Sequence, residues 1–222
     1  MMNKVLVIGE SCTDIFVYGT SERKSPEGNG PVFVPISETY GLGMAANVMH
    51  NLRAMGVETN IFTDTGSIVK TRYVNKDTNE LYLRVDENDT VNRIDISKLS
   101  DISQYDAIII SDYCKGFLTE EDIAKIASLH KLVILDTKKK LGDWCKDITF
   151  IKVNRQEFQN NFGVIKENDW LFEKIICTLD RGGAMYKTQT FKVQSVDNAD
   201  VSGAGDTFVA GFVARYLDSR DI

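Results

Sequence analysis

The sequence predicts an α/β fold: a doubly wound, mainly parallel sheet with helices on both faces, plus a small β lid. Three observations carry that expectation. Short apolar runs at Lys4 to Ile8, Ala107 to Ile110, Leu132 to Leu135, Thr149 to Val153 and Ile175 to Cys177 have the length and unbroken hydrophobicity of strands buried on both faces. From Tyr105 onward they alternate with helical segments, which yields a parallel sheet covered on both sides. Thr71 to Asn75 and Leu81 to Val85 alternate with period two around the turn Lys76 to Asn79, a hairpin too small to stand alone and so expected to cover something.

The first strand ends at Gly9, and Asp14 follows near the edge where such sheets bind ligands. A carboxylate there can accept hydrogen bonds from two neighbouring sugar hydroxyls; the other reading is a turn aspartate. All three prolines fall between Ser25 and Pro35, so this segment is a loop leading into an edge strand. Gly41-Leu42-Gly43-Met44-Ala45-Ala46 satisfies GxGxxA, with a helix behind it and Asp64 ending the next strand; read alone it suggests an NAD-dependent oxidoreductase. Against that, Val32 to Tyr40 holds Pro35 and makes a poor central strand. Later, Ile123, Ile126 and Ala127 face inward from a helix over Thr119 to His130. Ser111, Asp112, Asp136, Lys138, Asn154 and Glu157 all fall at strand ends, on the ligand-binding edge.

At 222 residues the chain can bury one substantial core, and it is read as a single domain over 1–222. Its net charge of −6 argues against a nucleic-acid surface, which needs clustered positive charge. No apolar stretch reaches membrane-spanning length, and Met1-Met2-Asn3-Lys4 leads into a strand without a cleavable signal pattern, so the expected location is cytoplasmic. Cys12, Cys114, Cys145 and Cys177 are scattered with no CxxC pair, which points to reduced thiols rather than a zinc site or a disulfide framework.

The chemistry concentrates in Asp200-Val201-Ser202-Gly203-Ala204-Gly205-Asp206-Thr207, where a helix carrying the apolar run from Phe208 begins, with Asp206 in its first turn. Glycines on a helix N-terminus leave the N–H groups of Gly203, Ala204 and Gly205 free to hold an anion. Asp206 beside them can take a proton from a substrate hydroxyl, the layout of a small-molecule kinase. An ordinary helix start capped by Ser202 or Asp206 is the other reading.

The run from Asp200 to Gly211 resembles the C-terminal signature of the ribokinase-like (PfkB-type) carbohydrate kinases, and Gly41 to Asn47 with Gly56 beyond resembles their N-terminal signature. Val17-Tyr18-Gly19, the proline segment and Ser111 to Gly116 are similar to the heptose-phosphate kinase branch of that family. The resemblance implies an ATP-dependent sugar kinase using Mg²⁺, with Asp206 as catalytic base, Gly203 to Gly205 as anion hole, and Asp14, Gly41, Gly43 and Asn47 holding the sugar. It also implies a lid of strands at about 15–40 and 70–86 that pairs two copies into a homodimer. Lys70, Arg72 and Arg84 become candidates for gripping a sugar phosphate, with exposed strand charges as the other reading. Asn154 and Glu157 match the NxxE element, Glu157 acting on Mg²⁺ through water. Thr178 to Gly183 resembles the loop that touches the nucleotide phosphates, where Thr178 and Gly183 fit and Asp180 departs from the usual small residue. The family pattern carries a further helix and strand after Gly66 and one or two helices beyond residue 222, so the chain is read as shortened at both places. The rival reading is a catalytically inactive sugar- or nucleotide-binding relative, favoured by the short adenine side and opposed by the intact Asp206 and anion hole.

Overall fold

The computed structural model describes residues 3–64, 66–99, 101–194 and 202–221. Asp200 and Val201, which open the glycine-bearing stretch, lie outside the described residues.

Strand β1 (Lys4–Gly9) runs through Glu10 into β2 (Ser11–Lys24), which returns on β3 (Pro31–Met44) and enters helix α1 (Ala45–Ala54). Then come β4 (Glu58–Phe62) and the hairpin β5 (Ile68–Asn75) and β6 (Leu81–Glu87). The remainder alternates: β7 (Ala107–Asp112), α2 (Glu120–Ser128), β8 (Val133–Thr137) and β9 (Phe150–Asn154). Three short helices follow, α3 (Arg155–Asn160), α4 (Phe162–Glu167) and α5 (Asp169–Phe172). The chain then forms β10 (Ile175–Thr178), β11 (Ala184–Tyr186), β12 (Gln189–Phe191) and α6 (Ala204–Ser219).

The large sheet has the order β12-β11-β10-β9-β8-β7-β1-β4, parallel from β10 to β4 and antiparallel at β11 and β12. The first strand lies between β4 and β7, so the sheet grows outward from it in both directions. The crevice at the carboxyl ends of β1 and β7 is therefore the switch point at which such sheets bind ligands.

Successive strand residues point to opposite faces. Leu6, Ile8, Ile108 and Ile110 meet Ile123 and Ile126 of α2 on one face. Val5, Val7 and Ile109 meet Leu52 of α1 and Val209 and Val213 of α6 on the other. Each such buried side chain contributes about 1.5–3 kcal/mol of apolar burial, and this anchorage of α6 fixes where its glycine-bearing start lies.

The small sheet has the order β3-β2-β5-β6. Its strands extend beyond 15–40 and 70–86, because β2 and β3 pair from Ser11 with Met44 out to Lys24 with Pro31, past register shifts after Tyr18 and Thr20. Pro31 and Pro35 lie on β3, an edge strand, where a missing N–H costs no ladder bond. The pairing of β2 with β5 is parallel and sets Asp14 beside Lys70 and Phe16 beside Arg72. One rung thus reads Gly41, Asp14, Lys70, Asp86, and another reads Thr39, Phe16, Arg72, Arg84, all on one face of the sheet. Met44, which joins this sheet to α1, is buried with φ 57 and ψ −134, a backbone state costly for a residue bearing a side chain. Among the described residues no helix is long and apolar enough to cross a membrane.

Candidate active site

The start of α6 is shaped by close approach. Gly203 holds φ 72, and a Cβ there would lie 2.6 Å from the Asn47 side-chain nitrogen; at Gly205 it would lie 2.9 Å from Lys152 Nζ. Only glycine leaves that concavity open. The first intrahelical bond runs from the Thr207 N–H to the Gly203 carbonyl, so the N–H groups of Gly203, Ala204 and Gly205 precede the helical ladder. Asp206, 3% exposed, stands beside them. Tyr113 donates its hydroxyl to Asp206 Oδ1 at 2.7 Å, and Asn47 donates Nδ2 to Oδ2 at 2.9 Å. Burial raises the Asp206 carboxyl above the usual aspartate range, and these two hydrogen bonds pull it back. Behind it, Lys152 Nζ pairs with Asp136 at 3.0 Å in a buried ion pair.

The opposite wall comes from the small sheet. Asp14, Gly41, Lys70, Arg72, Arg84 and Asp206 together line a cavity of about 490 Å³ that also includes Asn47 and Gly203. Gly43 lies against this wall: a Cβ there would be 2.3 Å from Asp14 Oδ2, so the glycine makes room for the carboxylate. The cations differ in what they hold. Arg72 is ion-paired with Asp14, Arg84 grips Asp86 with two bonds of 2.6 and 2.7 Å, and Lys115 pairs with Asp89. Lys70 is 6% exposed and has no carboxylate within ion-pair reach among the described residues. Burial, together with the nearby Arg84 and Lys115 charges, lowers its pKa, while Cys12 and Asp14 oppose that shift. Its ammonium lies 5.4 Å from the Tyr113 ring centre.

The family model for pfkB family carbohydrate kinases matches residues 63–222. The chain belongs to this family. It is 28% identical over 278 aligned residues to the bifunctional protein HldE of Helicobacter pylori strain HPAG1, covering 100% of this chain and 60% of that protein. It is 26% identical to HldE of Hydrogenovibrio crunogenus, with 96% and 55% covered. The chain thus spans about 60% of the length of the first of these relatives. Because all 222 residues here align across 278 positions, that relative has residues inside the matched region without counterpart in this chain. Ribokinase of Thermotoga maritima shares the fold at a TM-score of 0.73 and 15% identity, covering 98% of this chain and 87% of that one. Arabidopsis thaliana ribokinase complexed with ribose and ATP gives 0.69 at 14% identity, with 99% and 87% covered.

In this pfkB-family chain the remaining expected residues lie along the sheet edge. Asn154 and Thr178 end the neighbouring strands β9 and β10 in register with one another. Asn154 and Glu157 form a capping box: Glu157 N–H donates to Asn154 Oδ1 at 2.8 Å and Asn154 N–H to Glu157 Oε2 at 2.7 Å. The other Glu157 oxygen accepts Lys138, which also lines the cavity and so links the two groups of residues. Gly183 (φ 90) answers to packing: a Cβ would sit 1.9 Å from the Phe191 carbonyl oxygen. The dinucleotide reading loses its geometry here, since Gly41 to Met44 end an antiparallel edge strand rather than forming a turn after a central one. Asp64 instead accepts the Ser11 and Gly66 N–H groups, both at 3.0 Å.

Sequence reasoning did not place Glu10, Tyr113, Lys115 or Lys152 in the site. Glu10 is 0% exposed, and its carboxylate accepts the N–H groups of Tyr113 and Lys115 at 2.8 Å each and of Phe117 at 3.4 Å. One buried side chain therefore presents both Tyr113 and Lys115 to the cavity. The available signal was the polar cluster Ser111 to Gly116 at the end of β7.

Proposed function

We propose that this chain transfers the γ-phosphoryl group of ATP to a hydroxyl of a sugar that already carries a phosphate, with a heptose phosphate as the preferred acceptor. The observation that carries the kinase reading is Asp206, buried, held through both oxygens, and set beside the N–H groups of Gly203, Ala204 and Gly205, which precede the helical ladder of α6. The acceptor hydroxyl gives its proton to Asp206 as its oxygen bonds to the γ-phosphorus; the bond to the bridging oxygen breaks and ADP leaves. The N–H groups of Gly203, Ala204 and Gly205 stabilise charge on the transferring group, and Asp14, with Gly43 giving it room, orients the sugar through its hydroxyls.

Lys70 supports the phosphorylated acceptor. A buried ammonium with no carboxylate partner among the described residues is costly, and an anionic ligand in the cavity supplies the missing charge. Lys115 and Arg84 line the same cavity and reinforce that field. Among the described residues no group of three or more His, Cys, Asp or Glu forms a metal cage. Mg²⁺ bound with the triphosphate would supply charge neutralisation, and Glu157, whose oxygens here accept the Asn154 N–H and Lys138, is the carboxylate that would meet it through water. Heptose as the sugar rests on the likeness of Ser111 to Gly116 and of Val17 to Gly19 to that branch. Use of ATP and the free thiols of all four cysteines fit a cytoplasmic setting.

ADP release from Mg·ATP, measured against hexoses, pentoses and their phosphates together with heptose phosphates, tests the reading. Phosphorylated sugars are expected to saturate at lower concentration than their unphosphorylated forms. Silence across the panel, with ATP binding also absent, overturns it in favour of a binding protein built on the kinase scaffold.

The lid face turned away from the cavity exposes Tyr40, Leu83 and Val85 on neighbouring rungs, a natural partner for its own copy. Sedimentation velocity is expected to show a dimer that Leu83→Lys dissociates. A monomeric native chain removes the lid-paired homodimer.

A further inference from the structure

We infer that Tyr113 is a positioning residue for the base: its hydroxyl, donated to Asp206 Oδ1 at 2.7 Å, fixes the carboxylate in its ionised, aligned form. Its catalytic meaning rests on the kinase reading, whereas the contact itself does not.

The tyrosine is held on three sides. Its backbone N–H is bound by the buried Glu10 carboxylate, and two ammoniums approach its ring, Lys70 at 5.4 Å and Lys138 at 5.6 Å from the ring centre. The loop that carries the hydroxyl is tied to Glu10 by the N–H groups of Tyr113, Lys115 and Phe117. Burial and the adjoining Asp206 charge push the phenol far above its usual range, so it remains the donor in this pair. Asn47 on α1 donates to the opposite oxygen at 2.9 Å. With each carboxylate oxygen accepting one bond, the carboxylate plane is set, and a lone pair on each oxygen is left for the acceptor hydroxyl.

The other titratable groups that interact with Asp206 are Asp136, Lys152, Lys138 and the Cys12 thiol of β2. Asp136 at the end of β8 raises its pKa and Lys152 on β9 lowers it, but these two are already paired at 3.0 Å; Lys138 is paired with Glu157. Tyr113 and Asn47 are therefore the groups that oppose the burial of this carboxylate by direct contact.

Tyr113→Phe keeps the ring and both of its cation contacts while deleting the donor. The decisive measurement needs no turnover: a carbon-13 carboxyl NMR titration of the free protein, with the Asp206 resonance assigned by its loss in Asp206→Asn. The Asp206 midpoint is expected to rise by about one pH unit in Tyr113→Phe. The acid limb of kcat/KM should move up by the same amount, with KM for the sugar changed by less than about twofold. Adding Tyr113→Phe to Asp206→Asn should cost nothing further, because the two act as a unit. An unmoved midpoint, or a loss of rate equal at every pH and still present on top of Asp206→Asn, overturns the inference. If the native chain turns over no sugar, the kinase reading falls, and the midpoint still decides whether Tyr113 controls Asp206.

Discussion

Asp206→Asn is expected to lower turnover by roughly two to four orders of magnitude while sugar affinity stays near its native value. The structure explains why the substitution isolates chemistry from shape. The new amide can turn its oxygen to Asn47 Nδ2 and its NH₂ to the Tyr113 hydroxyl, which accepts as readily as it donates, so both native contacts survive. Because burial raises the native carboxyl's pKa, keeping it ionised at neutral pH costs folding free energy, and the neutral amide removes that cost. The variant should melt no lower than the native protein. Rates from ADP release and sugar affinity from calorimetry check this together: an unchanged rate takes Asp206 out of the mechanism, and lost affinity with a lowered melting temperature makes its role structural.

Lys70→Met is expected to raise KM for a phosphorylated sugar by about tenfold to a hundredfold and to leave unphosphorylated sugars nearly untouched. Methionine keeps much of the length and apolar volume of the buried stem and removes a charge that has no carboxylate partner among the described residues. Thermal stability should rise as substrate affinity falls, the exchange expected where a buried charge is kept for function. The native protein should lose affinity for the phosphate as pH climbs towards the alkaline side, earlier than an ordinary lysine allows, since the Lys70 pKa is lowered by burial. Equal losses on both classes of sugar would place Lys70 elsewhere in the mechanism.

The large sheet was legible because its strands are buried on both faces, and continuous apolar runs such as Val5 to Ile8 and Ala107 to Ile110 have few other uses. The position of Asp206 was legible for a local reason: glycines, a carboxylate and an apolar helix stand within a few residues of one another. What the sequence could not display were contacts made across the fold. Period-two alternation shows a strand without naming its neighbour, so the parallel pairing of β2 with β5 that sets Asp14 beside Lys70 was invisible. The sequence offers Arg72 as a candidate for gripping a sugar phosphate, and only the three-dimensional register shows its ion pair with Asp14. Glu10 stood in plain view between Gly9 and Ser11, but its three backbone partners lie beyond Asp112.

That carboxylate also bears on how the molecule comes to be. Glu10 reaches across 103 and 105 residues to Tyr113 and Lys115, and Asp206 reaches across 159 residues to Asn47. Contacts of such separation form only after the chain has closed large loops, and their reward arrives late along the folding reaction. Native secondary structure can therefore return during refolding well before the Asp206 contacts do, and recovery of the site marks completion of the whole sheet from β1 outward.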